Sequence, residues 1–188
     1  TLRRSSCAAH RQGYASMYST DSEELSETEK LQKVGKSTRL GDMARRRLEG
    51  MLRSLTPRRE RIARCMALAL DNAHAAETVA ELIARSLLIP STPVPRKIAR
   101  LYVVSDILYN SAAATRNAWR YRAAFEPWLL PVFSHLGTVA HSFSGRMKTE
   151  AVMRQVLAVL ECWDMWLVMP PSLVAQLRFA VTRNDAAP

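Results

Sequence analysis

Apolar residues recur at three- and four-residue spacings from Gly41 towards the C-terminal end, and the alternation typical of β-strands is absent. After Gly50 only Gly137 and Gly145 remain, whereas eight of the nine prolines lie between residues 57 and 171. Prolines stand where helices can start or must stop. The pattern therefore predicts an all-α domain with short connections.

Eight helices are predicted from these spacings. They span residues 42–55, 57–72, 76–88, 95–113, 117–125, 128–142, 149–169 and 172–182. Thr56 followed by Pro57 predicts a capped start for the second helix, Pro95 a start for the fourth, and Gly145 a break before the seventh. Seven or eight helices with short turns favour a compact right-handed stack over a four-helix bundle.

The N-terminal part of the chain has a different composition. Residues 1–20 carry Arg but no acid, and residues 21–29 then hold five acids. Such charge-segregated, weakly apolar sequence is typical of a linker or tail, with a transit peptide as the alternative. We expect residues 1–40 to be flexible or ordered by a partner, residues 41–183 to form the domain, and residues 184–188 to be a tail.

The sequence lacks the motifs that several classes of protein require. The three cysteines, Cys7, Cys65 and Cys162, form no close pair and no metal-ligand spacing with His, so neither a disulfide scaffold nor a zinc module fits. No apolar run is long enough to cross a bilayer. No motif indicates catalysis, and no cofactor or metal is expected.

The fourth predicted helix carries a polar and aromatic stripe. Tyr102, Asp106 and Asn110 are four residues apart, with Ser105 and Tyr109 beside them. A carboxylate and an amide offer acceptors and donors that could bind an extended peptide between tyrosine rings. The alternative is an ordinary solvated face.

This stripe resembles the fourth helix of the RNA polymerase II CTD-interacting domain, which has Tyr, Asp and Asn in the same pattern. The resemblance is greater to the branch of that family found in SURP-motif-containing, SR-related splicing proteins associated with the branch-site snRNP, the second U-rich particle. It extends from Leu55 to about Phe179. The other segments that carry it are residues 55–59, 72–76, 95–102 and 163–166.

The resemblance implies a right-handed superhelix of about eight helices, related to the VHS and ENTH adaptor domains. It also implies that the phosphorylated heptad-repeat tail of the polymerase binds between the second, fourth and seventh helices. Asp106 would accept a hydrogen bond in the turn of this peptide. The flanking positions would be Tyr102, Ser105, Tyr109 and Asn110.

Phosphate recognition departs from the family pattern. Relatives that bind the second-position phosphoserine have an Arg five residues before the seventh-helix Trp, and counting back from Trp163 gives Ala158. The remaining candidates for phosphate contact are Arg58, Arg59, Arg61 and Arg154. The net charge of +10 suits phosphopeptide or RNA partners, and a solvated basic surface is the alternative.

We therefore expect a nuclear, non-enzymatic module of a pre-mRNA splicing factor that binds the polymerase tail and couples splicing to transcription. Its other expected partners are spliceosomal snRNP proteins, and RNA through other domains or the basic surface, but not a membrane. One alternative is an architectural domain of the snRNP with a degenerate tail pocket. Another is a trafficking adaptor of related fold.

The remaining aromatic and thiol side chains are predicted to be structural. Trp119 and Trp128 are expected to pack the fifth helix against the sixth, and Trp166 to join Trp163 in fixing the seventh. Cys65 and Cys162 lie on apolar stretches and are expected to be buried thiols.

Overall fold

The expectation of an all-α fold is confirmed. A computed structural model describes residues 39–112 and 114–183, which form seven α-helices and one 3₁₀ helix and contain no strand. The elements are α1 (Asp42–Arg53), α2 (Arg59–Asp71), the 3₁₀ helix (Ala73–Ala75), α3 (Ala76–Leu88), α4 (Val94–Asn110), α5 (Arg120–His141), α6 (Arg146–Met165) and α7 (Pro171–Thr182).

The expected terminal segments fall mostly outside the described part of the chain. Residues 1–38 and 184–188 are not among the described residues, so their predicted flexibility stays a prediction. Leu40, which was assigned to the N-terminal segment, is partly buried and packs against the core. The packed part of the described residues therefore includes Leu40, one residue before the expected boundary at Gly41.

The predicted fifth and sixth helices are a single helix, so the division between them was wrong. α5 continues through Pro127 and Pro131, both of which are exposed. A proline inside a helix costs about 3 kcal/mol, because it removes a hydrogen bond and crowds the preceding turn. Here a continuous buried stripe that includes Phe125, Leu129 and Phe133 holds the two halves in line.

Helix starts follow the sequence signals only in part. Pro95 lies in the first turn of α4, and Gly145 lies in the break before α6, as predicted, although α6 begins at Arg146 rather than at residue 149. The predicted cap at Thr56 is wrong, because α2 begins at Arg59. The buried Thr56 hydroxyl oxygen has no hydrogen-bond partner within the described residues.

α4 packs against four other helices, α2, α3, α5 and α6. One of its buried cations is Lys97, which is 1% exposed. The Lys97 ammonium donates to the carbonyl oxygens of Leu87 and Ile89, at 2.7 and 2.6 Å, and lies 2.8 Å from Nε2 of His135. It thereby satisfies the carbonyls that the C-terminal end of α3 leaves without helical partners.

The second buried cation of α4 is Arg100, which is 4% exposed. Its Nε and Nη2 atoms donate to the Leu52 carbonyl oxygen, at 3.2 and 2.9 Å, near the end of α1. Its Nη1 atom donates to the Ser86 carbonyl oxygen of α3. Lys97 and Arg100 therefore fix the position of α4 relative to two neighbouring helices.

The contact between α5 and α7 depends on Gly137. A Cβ atom at this position would lie 2.7 Å from the Val181 carbonyl oxygen and 3.1 Å from the Ala180 carbonyl oxygen. Glycine is therefore required here by the close approach of two backbones rather than by its conformational freedom.

The expected roles of the tryptophans are correct only in part. Trp163 is fully buried and contacts Phe133, with ring centroids 5.6 Å apart. Trp119 is 69% exposed and packs no helix pair, because the helices it was expected to join are one helix. Trp166 is 47% exposed and lies at the surface groove described next.

Candidate peptide-binding groove

A surface cavity of about 330 Å³ lies between α2, α4 and α6. We call it the proximal compartment. Residues from three helices and from the turn before α2 line it: Pro57, Arg59 and Ile62 on one side, Tyr102, Ser105 and Asp106 of α4, and Ala158, Val159, Cys162 and Trp166 on the α6 side. The cavity is lined by residues of the second, fourth and seventh predicted helices, between which the family resemblance placed the groove.

The α4 wall contains three of the predicted site residues. Tyr102, Ser105 and Asp106 face the cavity together because residues three and four apart lie on one side of a helix. Tyr102 and Asp106 are half-buried, whereas Ser105 is buried. The Ser105 hydroxyl oxygen accepts a hydrogen bond from Trp163 Nε1 at 3.0 Å, so this residue also joins α4 to α6.

Asp106 is the one carboxylate in the lining of this cavity. Burial raises the pKa of Asp106, and the positive charge of Arg59 opposes this shift. Among the described residues, no ion pair within 4 Å and no side-chain hydrogen bond engages the carboxylate. Its oxygens are therefore available to accept hydrogen bonds from a ligand.

Tyr109 and Asn110 lie at the C-terminal end of α4 and do not line the proximal compartment. Tyr109 is 53% exposed, and its ring centroid is 4.6 Å from that of Trp166. The Asn110 amide donates to the Asp106 carbonyl oxygen at 2.8 Å and contacts Met66 Sδ at 3.2 Å. Tyr109 thus extends the aromatic wall of the groove, while Asn110 supports the helix end.

The four arginines that were predicted to contact phosphate lie on different surfaces. Arg59 lines the proximal compartment. Arg61 donates to the Ser54 carbonyl oxygen at 2.9 Å and belongs to a different surface, beside the end of α1. Arg58 and Arg154 are exposed and do not line the cavity. Ala158, at the position where the family resemblance implied an Arg, does line it.

Sequence reasoning missed two prominent groove residues. Trp166 was assigned to the core, and Cys162 was predicted to be a buried thiol, but Cys162 is partly exposed and both line the cavity. Ala158 and Cys162 of α6 and Trp166, the C-cap residue of this helix, follow one another at four-residue spacing. That spacing was the available signal. Cys65 is fully buried, as predicted.

The described part of the chain offers no cluster of three His, Cys, Asp or Glu side chains that could hold a metal ion. None of the described helices is long and apolar enough to span a membrane.

Comparison with known proteins decides the family. The family model named CID domain matches residues 46–177 of this chain. The chain belongs to the CID domain family. CID domains are non-catalytic interaction modules, and the matched range contains every residue that lines the proximal compartment.

Three relatives illustrate the similarity of this CID domain to longer proteins. Protein RRC1-like of Arabidopsis thaliana is 40% identical over 145 residues, which are 77% of this chain and 15% of the relative. Protein RRC1 of the same plant is 39% identical over 148 residues, 79% of this chain and 16% of the relative. An uncharacterised protein of Schizosaccharomyces pombe is 32% identical over 72 residues, 38% of this chain and 16% of the relative. The chain thus spans about one sixth of the length of these relatives.

Proposed function

We propose that this CID domain binds the phosphorylated heptad-repeat tail of RNA polymerase II in the proximal compartment. The observation that carries the proposal is the position of Asp106 in that cavity. Its partly buried carboxylate has no protein partner among the described residues, and its burial raises its pKa. A partly desolvated acceptor without a protein partner can form charge-assisted hydrogen bonds with donors of a ligand.

Each wall of the groove has a distinct role in this proposal. The Asp106 carboxylate accepts hydrogen bonds from the turn of the peptide, and Tyr102 and Trp166 enclose its side chains. Arg59 supplies positive charge at the start of α2. A phosphoserine near Arg59 would form a charge-assisted hydrogen bond with the guanidinium.

The biological setting follows from the resemblance rather than from the groove. We propose that the chain is part of a nuclear SURP-motif-containing, SR-related splicing protein, and that tail binding couples splicing to transcription. The similarity to Protein RRC1 over 79% of the chain supports a common type of protein. Spliceosomal snRNP proteins and RNA are its further proposed partners.

Fluorescence anisotropy with labelled two-repeat tail peptides tests the proposal. The peptides are unmodified, or phosphorylated at the second, the fifth or both serine positions. We expect micromolar binding that depends on phosphate, and a loss of at least about tenfold in Asp106→Ala, since hydrogen bonds to charged groups contribute about 1.5–3 kcal/mol. Asp164→Ala is the control, because this exposed carboxylate on α6 does not line the cavity. Equal affinities of the two folded variants would refute the assignment of Asp106.

The second candidate function is an architectural role within the branch-site snRNP. The observation that favours it is Ala158, which lines the cavity where relatives have a phosphate-binding Arg. If this candidate is correct, the folded chain binds none of the four tail peptides. It binds purified snRNP proteins or branch-site RNA instead. Binding of any tail peptide that depends on Asp106 would exclude this candidate.

A further inference from the structure

A second cavity of about 410 Å³ adjoins the proximal compartment. We call it the distal compartment. It shares Pro57 and Tyr102 with the first cavity, so the two are consecutive parts of one groove. The residues that distinguish it are Val94 and Ile98 of α4, Phe143 before α6, and Lys148, Val152 and Gln155 of α6.

The groove follows α6 for most of that helix. Lys148 lies at one end of the α6 wall and Trp166 at the other, 18 residues apart in sequence. At 1.5 Å per residue this separation is about 27 Å, which is the length of about eight residues of extended peptide. The proximal compartment alone would accept only part of such a segment.

The distal compartment is mainly apolar, and its polar groups come from two residues of α6. Val94, Ile98 and Val152 contribute hydrophobic surface, whereas Gln155 and Lys148 supply an amide and a cation. Lys148 is exposed and forms no ion pair with the described residues, unlike the neighbouring Arg146, which pairs with Glu150 at 2.6 Å. The groove therefore has one cation in each compartment, Arg59 and Lys148.

We propose that the distal compartment binds the continuation of the same peptide, with an apolar side chain in the cavity and a phosphoserine at Lys148. This inference rests on the proposed tail-binding function and deepens it. Lys148 would act as a compact point charge, whereas the Arg missing at Ala158 would have formed a bidentate fork. The proposed second phosphate site therefore lies away from position 158.

The position of the peptide can be measured without reference to affinity. Methyl NMR spectra of the full chain are recorded during titration with a doubly phosphorylated two-repeat peptide. Val159 reports on the proximal compartment and Val152 on the distal one. We expect the methyl signals of both residues to shift. Shifts of Val159 without shifts of Val152 would overturn the inference and leave the proposed function standing.

The role of Lys148 is tested by charge removal. Lys148→Gln is expected to weaken binding of the doubly phosphorylated peptide about fivefold, the upper range for an exposed ion pair, and to leave the unphosphorylated peptide unaffected. Arg154→Gln is the matched control, since it removes one exposed charge from the same helix outside both cavities. Equal losses in the two variants would indicate general electrostatic attraction and overturn the site. If the unaltered chain binds no tail peptide, both proposals fall.

Discussion

Trp163 donates a hydrogen bond from its indole nitrogen to the Ser105 hydroxyl oxygen, 3.0 Å away in the interior. Ser105 lines the proximal compartment and Trp163 is fully buried beneath it. The bond therefore fixes the separation of α4 and α6, the two helices that form the long walls of the groove. A residue predicted to bind peptide also holds the binding surface together.

Ser105→Ala should destabilise the domain by about 1–3 kcal/mol, because the buried Trp163 N–H loses its acceptor. Urea unfolding followed by circular dichroism measures the change. Trp163→Phe removes the donor as well, so a double-mutant cycle should give an interaction energy of about 1 kcal/mol between the two positions. Additive losses would show that the hydrogen bond contributes nothing to stability.

Asp106→Asn should raise thermal stability at neutral pH while it weakens peptide binding. Burial raises the folded-state pKa of Asp106 above its ordinary value of 3.8. The folded state therefore takes up a proton before the unfolded chain as pH falls, so the charged form destabilises the fold above this pKa. The gain in melting temperature should be present at pH 7, should shrink as the pH falls through the raised folded-state pKa, and should be absent below the ordinary value of 3.8. A variant that is less stable than the original chain at pH 7 would contradict this assignment.

Cys162 should react with maleimide reagents and be protected by bound peptide, whereas Cys65 should not react. Cys162 is partly exposed in the groove. Cys65 is fully buried, and burial raises its pKa to about 12, so it forms almost no reactive thiolate. Mass-spectrometric mapping of a Cys7→Ser chain distinguishes the two sites. Rapid labelling of Cys65 in the folded chain would contradict its position in the core.

The stability of the domain should fall as the pH drops below about 6.5. Burial and the neighbouring Lys97 charge lower the pKa of His135. The unfolded chain therefore takes up a proton first as the pH falls, which favours unfolding. His135→Gln keeps an acceptor near Lys97 but cannot titrate, and should reduce this loss between pH 7 and pH 5 in urea unfolding. His74 does not contact Lys97, so His74→Gln should show the same loss of stability between pH 7 and pH 5 as the original chain.

Gly137→Ala and Gly50→Ala should have opposite effects. A Cβ atom at Gly137 would press on the α7 backbone, with an expected loss of about 1–3 kcal/mol. A Cβ atom at Gly50, within α1, meets nothing within 4 Å, so alanine should stabilise that helix by about 0.5–1 kcal/mol. Thermal unfolding of the two variants shows whether each substitution lowers or raises the melting temperature. A stable Gly137→Ala chain would contradict the close approach of α5 and α7.

The sequence predicted the helices well where apolar spacing and a break coincided, as at Gly145 before α6. It failed at Pro127 and Pro131, because local propensity cannot include the packing that keeps a proline within a helix. It also placed the cap at Thr56, whereas the residue that precedes α2 as its N-cap is Arg58.

The candidate site was predictable on α4 but not on its neighbours. Tyr102, Ser105 and Asp106 share one helix, so their spacing alone places them together. Which arginine lies beside them depends on how α2 is positioned, and only Arg59 of the four candidates lines the cavity. Trp166 was missed because tryptophan is usually taken as core, although its spacing from Cys162 places it on the groove.

Two buried cations, Lys97 and Arg100, fix one side of α4, while Tyr102, Ser105 and Asp106 line the groove on another. The proposed binding surface is therefore fixed in position before a peptide binds. We expect the free and bound domains to superpose within about 1 Å. Substitutions of Lys97 or Arg100 should weaken peptide binding from a distance, by loosening the helix that presents the site.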